Sequence, residues 1–218
     1  MRLFLASYRF GADPDRLVRL VGRPGRVAVI ANAADAWDTN TAGSARDSAV
    51  VSDLVPLRRL GFDPHEVDLR RFVDAPELLR EELRGYDMVW VRGGNTFVLR
   101  AQFARSGADV VLTGLLLEDA LVYAGYSAGA CVMAPSLRGL ELVDDPAEVE
   151  PTCGVPVIWE GLGLIDEAIV PHYRSPGYDP SESALIERIV ERYRRDGTRH
   201  RALTDDDVIV VGEGPGAS

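Results

Sequence analysis

The sequence predicts an α/β fold, a three-layer sandwich in which a mostly parallel central sheet lies between two layers of helices. Short apolar runs of strand length alternate with segments that repeat apolar residues at helical spacing along most of the chain. Several runs are apolar at every position, which is typical of parallel strands buried on both faces. Near the C-terminus, the short runs 201–203 and 208–211 flank an acidic turn, which predicts a closing hairpin at the sheet edge.

The predicted strands are short and are bounded mostly by glycine, proline or polar residues. The second strand shows the pattern clearly, because it follows Gly-Arg-Pro-Gly and is apolar from Val27 to Ala31. The predicted strands are residues 3–7, 26–31, 66–69, 88–91, 120–123, 137–143, 167–170, 201–203 and 208–211.

Apolar residues at helical spacing predict the helices between these strands. In one of them, Val50, Leu54 and Leu57 would share a buried face. Ser181 and Glu182 are expected to cap the last helix. The predicted helices are residues 13–21, 48–60, 76–83, 98–106, 110–119 and 181–193, with a further helix after Ser127.

Three stretches are predicted to be loops or tail. Residues 32–44 are small, polar and irregular, and they follow the carboxyl end of a strand. Since α/β proteins place binding sites there, we expect part of this loop to contact substrate. Residues 144–156 form a loop rich in acidic residues and proline, and the tail 212–218 is expected to be frayed.

Composition and charge favour a cytoplasmic globular protein with a single domain spanning residues 1–218. Hydrophobic residues make up 46% and charged residues 27% of the chain. The net charge of −10 disfavours a nucleic acid or an anionic membrane surface as partner. Two cysteines, Cys131 and Cys153, make no disulfide framework, and we find no signal peptide or membrane-spanning run.

The segment 124–130, Ala-Gly-Tyr-Ser-Ala-Gly-Ala, follows an apolar strand and contains the G-x-S-x-G pattern of a nucleophile elbow. In such an elbow a strand turns sharply into a helix with the serine at the apex. The positions two before and two after the serine then tolerate almost no side chain, and here they are Gly125 and Gly129. The pattern predicts that Ser127 is a nucleophile.

A serine nucleophile needs a general base, and the chain has three histidines. His65 and His200 each precede a predicted strand and therefore lie at the amino ends of strands. His172 follows a strand, on the same side of the sheet as Ser127. We therefore expect His172 to be the base.

The residues leave open which acid orients this histidine. Asp205, Asp206 and Asp207 lie in the last turn, whereas Asp144 and Asp145 lie between the serine and the histidine. An oxyanion hole would use the backbone N–H of Ala128 together with a donor from Gly93-Gly94-Asn95, at the carboxyl end of another strand.

Three motifs follow one another along the chain: G-G-N-T-F at 93–97, G-Y-S-A-G-A at 125–130 and P-H-Y at 171–173. In these motifs the chain resembles the S51 serine peptidases, which include dipeptidase E (alpha-aspartyl dipeptidase) and cyanophycinase relatives. The resemblance implies a class I glutamine amidotransferase-like α/β fold. It also implies a triad in the order Ser127, His172 and a carboxylate in the last strands.

The resemblance also suggests individual site residues. Asp205 aligns with the family's acid, with Asp206 as the alternative after a one-residue slip, and Gly94 with Ala128 would form the oxyanion hole. Asn95, Tyr173 and Arg174 are the candidate substrate-binding residues. Dipeptidase E has an arginine for the aspartyl group in the region that residues 181–185 occupy here, and Arg174 is its candidate replacement.

These observations predict a serine exopeptidase for small peptides, such as Asp-X dipeptides, acting through an acyl-enzyme as a monomer or homodimer. It would need no metal ion and no cofactor. Two alternatives remain: an esterase or amidase that uses the same triad on a non-peptide substrate, and a binding module without catalysis. The chain is shorter than a typical cyanophycinase, which disfavours that substrate.

Overall fold

A computed structural model describes residues 1–37 and 45–212 of the chain. A six-stranded sheet has the order β3-β2-β4-β5-β1-β8, and β6 and β7 form a separate parallel pair. All neighbours in the main sheet are parallel except β8, which runs antiparallel to β1 at one edge. The strands are β1 Arg2–Ala6, β2 Arg26–Ile30, β3 Asp63–Glu66, β4 Met88–Val91, β5 Val122–Tyr126, β6 Ala168–Val170, β7 His200–Ala202 and β8 Val208–Val211.

Helices cover both faces of the main sheet, which confirms the predicted α/β architecture. The longer helices begin and end close to the predicted positions. The helices are α1 Asp15–Val21, α2 Ala45–Arg59, α3 Pro76–Leu83, α4 Thr96–Ser106, α5 Ala108–Leu117, α6 Ala128–Cys131, α7 Val149–Cys153 and α8 Pro180–Asp196. Short 3₁₀ turns occur at Asn32–Trp37, Leu69–Phe72, Leu140–Leu142 and Pro146–Glu148.

The central strands contribute to two separate cores because their side chains alternate between the faces of the sheet. On one face Phe4, Val29 and Trp90 pack with residues of α1 and α2. On the other face Leu5 and Val91 belong to a larger core that includes residues of α3, α4, α5 and α8. Full burial on both faces explains why β2, β4 and β5 are almost entirely apolar.

The predicted third strand at 66–69 is wrong. The strand lies at Asp63–Glu66 and therefore includes His65, which was expected to precede it. It is an edge strand in which only Pro64 is buried, so its sequence contains no apolar run to mark it. His65 is half-exposed and its Nε2 atom lies 2.9 Å from Asp63 Oδ2.

The closing hairpin is also wrong, although an antiparallel strand does close one edge of the sheet. β7 pairs with β6 in the small sheet, whereas β8 pairs with β1 in the main sheet. The connection between them bridges the two sheets, because Leu203 N donates to Val170 O and Ser7 N donates to Asp207 O. Long-range pairing therefore separates two strands that are neighbours in sequence, and His200 lies inside β7.

Three further expectations differ from the structure. Residues 137–143 form no strand and contain a 3₁₀ turn instead, and the loop predicted at 144–156 contains α7. The last helix begins at Pro180, so Asp179 caps it in place of Ser181 and Glu182 by accepting from Ser181 N. Residues 38–44 of the predicted loop and 213–218 of the tail lie outside the described residues. No helix among the described residues is both long and apolar enough to span a membrane.

The fold depends on close backbone packing at Gly129. A Cβ atom at this position would collide with the carbonyl oxygen of Val91 in the neighbouring strand. We expect Gly129→Ala to lower the free energy of unfolding by about 1–3 kcal/mol, measured by urea denaturation, because backbone cannot move aside as a flexible side chain can.

Gly114→Ala in α5 is the matched control, since a Cβ there would approach only the Arg80 guanidinium, 3.0 Å away. Alanine favours helix by up to about 1 kcal/mol relative to glycine. Equal destabilisation by the two substitutions would contradict this account of Gly129.

Candidate active site

Ser127 lies at the turn between β5 and α6 in an unusual backbone conformation, with φ 51° and ψ −117°. Its N–H donates to the carbonyls of Ala6 and Ser7 at the end of β1, both at 3.1 Å. A Cβ atom at Gly125 would lie 2.5 Å from the Gly129 carbonyl oxygen, so the turn leaves no space for side chains there. This is the geometry expected of a nucleophile elbow.

His172 lies beside Ser127, two residues after the end of β6. Its Nε2 atom is 3.1 Å from the hydroxyl oxygen of Ser127. The backbone N–H of His172 donates to the Ser7 hydroxyl at 2.7 Å. The side chain is 16% exposed, so one edge of the imidazole remains accessible from the site.

Asp205 is the acid that contacts this histidine. Its Oδ1 atom lies 2.7 Å from His172 Nδ1 and 3.0 Å from the Ser7 hydroxyl, which donates to it. The Asp205 N–H in turn donates to the Ser175 hydroxyl at 2.8 Å. If Nδ1–H donates to Asp205, Nε2 is left as an acceptor for the Ser127 hydroxyl.

The other candidate acids lie elsewhere. Asp207 accepts from the N–H and hydroxyl of Thr204. Asp145 accepts from Ala147 N at the start of a 3₁₀ turn, and Asp144 accepts from Thr96 N at 2.9 Å. Asp206 contributes its backbone carbonyl to Ala12 N. The structure therefore brings Asp205, rather than its sequence neighbours, to His172.

Tyr178 contacts the same histidine, which the sequence did not suggest. Its hydroxyl lies 2.6 Å from His172 Nδ1. Burial and the nearby Asp205 charge raise the pKa of Tyr178 well above its ordinary value, so the phenol stays protonated. The two rings are tilted by 32° with centroids 4.8 Å apart.

The glycines after β4 run directly alongside Ser127. A Cβ atom at Gly93 would lie 2.8 Å from Ser127 Cβ. Gly94 has φ +148°, and a Cβ there would collide with the Ala33 carbonyl. Gly93 therefore lies directly against Ser127, and the two residues predicted to supply oxyanion donors, Gly94 and Ala128, are the chain neighbours of Gly93 and Ser127.

The three candidate substrate-binding residues differ in position. Asn95 lines the cavity, but its amide is already engaged: its oxygen caps α4 and its nitrogen donates to Glu148 Oε2 at 2.7 Å. Tyr173 and Arg174 are not among the residues that line the cavity. The exposed Arg174 side chain packs over the Tyr173 ring and pairs with Glu187 at 2.9 Å.

Ser127 and His172 open into a cavity of about 570 Å³, a volume typical of small-molecule sites. Several of its walls were not anticipated from the sequence, including Tyr8, Arg9, Arg92 and Tyr178. Arg92 could have been noticed, because it directly precedes Gly93 at the carboxyl end of a strand. Within residues 1–37 and 45–212, no three His, Cys, Asp or Glu side chains form a group that could hold a metal ion.

Asp144 is a further acid at the cavity wall. Burial raises its pKa from 3.8 to about 6, although hydrogen bonding to Thr96 opposes the shift. The folded protein therefore holds this proton more tightly than the unfolded chain does. The resulting contribution to stability is complete below about pH 4 and is lost as pH rises through 6.

We expect the free energy of unfolding between pH 4 and pH 7 to fall by about 1–3 kcal/mol more in the wild type than in Asp144→Asn. Asparagine keeps the acceptor for Thr96 N but has no titrating proton. Asp145→Asn, at an exposed position, should follow the wild type. Urea denaturation at both pH values measures the difference, and identical pH dependence in wild type and Asp144→Asn would contradict it.

Comparisons of the sequence and of the fold with known proteins all find peptidases. The model of peptidase family S51 matches residues 41–216. An uncharacterized peptidase of Listeria innocua is 27% identical over 157 residues, covering 72% of this chain and 70% of the relative. An uncharacterized peptidase of Pasteurella multocida is 30% identical over 111 residues, or 50% of each chain.

Solved structures share the fold. A Listeria monocytogenes EGD-e protein provisionally named peptidase E superposes with a TM-score of 0.74 at 21% identity, over 96% of this chain and 97% of that one. A peptidase from an acI-B1 actinobacterium gives a TM-score of 0.55 at 15% identity, over 85% and 74% respectively. The family match extends over most of the chain and includes all three motifs, so the protein belongs to peptidase family S51.

Proposed function

We propose that the protein is a serine peptidase that hydrolyses short peptides through Ser127, His172 and Asp205. The central observation is the hydrogen-bonded series in which Ser127 Oγ lies 3.1 Å from Nε2 and Nδ1 lies 2.7 Å from Asp205. Such a series makes a serine hydroxyl nucleophilic. Membership of a peptidase family supports an amide bond as the target.

In the proposed reaction Ser127 Oγ attacks the carbonyl carbon of the peptide bond while Nε2 of His172 takes the hydroxyl proton. The tetrahedral intermediate collapses as His172 gives this proton to the leaving amine, which leaves an acyl-serine. Water then attacks the ester while His172 takes its proton. His172 returns this proton to Ser127 Oγ as the ester bond breaks and the acid product departs. Asp205 stabilises the imidazolium in both halves of the reaction.

Backbone N–H groups near Ser127 would stabilise the oxyanion. Ala128 follows the proposed nucleophile directly, and the close approach of Gly93 to Ser127 supports a role for the 93–94 backbone next to the reacting carbonyl. We assign the two donors to Ala128 and Gly94. Donors fixed by backbone packing need little reorganisation during the reaction.

Ser7 and Tyr178 would act as positioning residues. The buried Ser7 hydroxyl accepts from the His172 N–H and donates to Asp205, so it connects the base to its acid by a second route. The Tyr178 hydroxyl lies 2.6 Å from His172 Nδ1. Together they would hold the imidazole and the carboxylate in the orientation in which Nδ1 faces Asp205.

The cavity favours a small substrate. A volume of about 570 Å³ accommodates a ligand of dipeptide size, which supports a dipeptidase E-like exopeptidase with Asp-X dipeptides among its candidate substrates. The provisional peptidase E name of the Listeria structure is compatible with this proposal.

Ser127→Ala should reduce kcat for a cleaved dipeptide by at least about 1,000-fold, because no nucleophile remains to form the acyl-enzyme. Hydrolysis of a panel of Asp-X and neutral dipeptides, followed by product amine, measures this. Ser136→Ala, at an exposed position outside the cavity, is the control and should retain wild-type rates.

The same panel should contain simple esters and non-peptide amides. Activity on these substrates alone, lost in Ser127→Ala, would indicate an esterase or amidase that uses the same residues, instead of a peptidase. Full peptidase activity in Ser127→Ala would contradict the mechanism. A folded protein whose Ser127 reacts with no acylating probe would indicate a binding module.

Asp205→Asn should lower kcat by roughly 1,000- to 10,000-fold with a small change in KM, because the wrong imidazole tautomer would face Ser127. Asp206→Asn is the matched control, one residue away, and should remain close to the wild type. Comparable losses in both variants, or a loss confined to Asp206→Asn, would exclude Asp205 as the orienting acid.

A further inference from the structure

Arg92 lies at the wall of the cavity, between the end of β4 and the glycines that contact Ser127. Its Nη1 atom is firmly held: it donates to Ala49 O, Ser52 Oγ and Asp53 Oδ2 at 2.9–3.0 Å. The side chain is 12% exposed, and the Trp37 ring lies over the guanidinium with its centroid 5.5 Å from Cζ. The guanidinium thus has a defined position next to the nucleophile.

Arg9 reaches the same place from the loop after β1. Its Nη1 atom donates to Ser52 O at 3.0 Å and its Nε atom donates to the Tyr8 hydroxyl at 3.1 Å. Both arginines are therefore attached to one turn of α2, and both line the cavity. These two guanidinium groups form a cationic part of the wall of the cavity that Ser127 also lines.

The charge of this wall is only partly balanced by its described contacts. Arg92 pairs with Asp53, a buried carboxylate that also accepts from Tyr126. Burial raises the pKa of Asp53, and the charge of Arg92 opposes the shift. Arg9, in contrast, donates to neutral oxygens. An anion placed here would therefore meet net attraction.

Arg92 also retains an unused donor. Its Nε–H is buried and finds no hydrogen-bond acceptor among the described residues. Leaving a buried charged donor without an acceptor is unfavourable. A carboxylate bound along the side of the guanidinium would satisfy Nε–H without displacing the hydrogen bonds of Nη1.

A second part of the cavity wall has the reverse charge. Asp144 and Glu148 line it and contact the start of α4, which packs on the other face of the sheet from α2. This wall would repel a carboxylate. The distribution of charge therefore directs an anionic group of a ligand to Arg9 and Arg92.

We propose that Arg92 and Arg9 form a subsite that binds a carboxylate of the peptide substrate, and that this contact determines substrate specificity. The proposal rests on the proposed peptidase function. The carboxylate is either an acidic side chain or the C-terminal group of a short peptide, since a guanidinium binds both in the same way.

The test separates these two sources. Asp-Ala is compared with Asn-Ala, which removes the side-chain charge, and Ala-Ala is compared with Ala-Ala amide, which removes the terminal charge. Binding is measured by calorimetry on the Ser127→Ala protein, and kcat/KM is measured on the protein with Ser127 intact. Each measurement is repeated with Arg92→Gln, Arg92→Lys, Arg9→Gln and, as control, Arg58→Gln, which removes an exposed charge from α2.

Arg92→Gln should weaken binding of the charged member of one pair by about 10- to 100-fold and leave its neutral partner nearly unchanged. Arg9→Gln should act in the same direction with a smaller factor, and Arg92→Lys should recover part of the loss. The pair that responds identifies the source of the carboxylate. Arg58→Gln should match the parent protein.

Equal losses for charged and neutral peptides in Arg92→Gln would overturn the subsite, as would unchanged discrimination in both Arg92→Gln and Arg9→Gln. Arg92→Gln leaves Asp53 without its partner. If this variant does not fold for that reason, the discrimination between charged and neutral peptides by Arg9→Gln tests the subsite. Failure of hydrolysis with charge-selective binding intact would contradict the peptidase function and leave the subsite standing.

Discussion

The close packing of three backbone segments around Ser127 is the constraint on which the rest of the site depends. The β5–α6 turn, the end of β4 and the end of β1 meet there with glycine or backbone hydrogen bonds at each contact. The positive φ of Ser127 is sterically unfavourable for an L-residue, and these contacts hold it in place. The serine hydroxyl therefore projects from a rigid support rather than from a mobile loop.

The small β6–β7 sheet supplies the groups that complete the site. β6 leads into His172, and the connection from β7 to β8 leads through Asp205. Ser7, at the end of β1, receives the His172 N–H and donates to Asp205, so a residue of the main sheet fixes groups delivered by the second sheet. The relative position of the two sheets thus determines whether His172 and Asp205 meet.

The cavity that Ser127 and His172 line contains side chains of both charges. Arg9 and Arg92 are held by α2, whereas Asp144 and Glu148 contact the start of α4, on the other face of the sheet. Charged groups in a partly buried wall are unfavourable unless each has a partner of opposite charge or hydrogen bonds. The raised pKa values of Asp53 and Asp144 show that burial outweighs their stabilising contacts.

The sequence by itself determined the parallel sheet, most of the helices and the strand-to-helix turn at Ser127, because apolar periodicity and obligatory glycines are local consequences of burial and close packing. It also indicated His172, since strand direction decides which side of a sheet a residue occupies. It could not find the edge strand at Asp63–Glu66, which is buried at one position only. Tertiary structure alone separated β7 from β8 and added Ser7, Tyr178 and the two arginines of the cavity wall. The family resemblance favoured Asp205 among the aspartates, whereas the residues by themselves left the choice open, because Asp205 reaches His172 only through the pairing of β6 with β7 and of β1 with β8. Local patterns do not predict such contacts between elements.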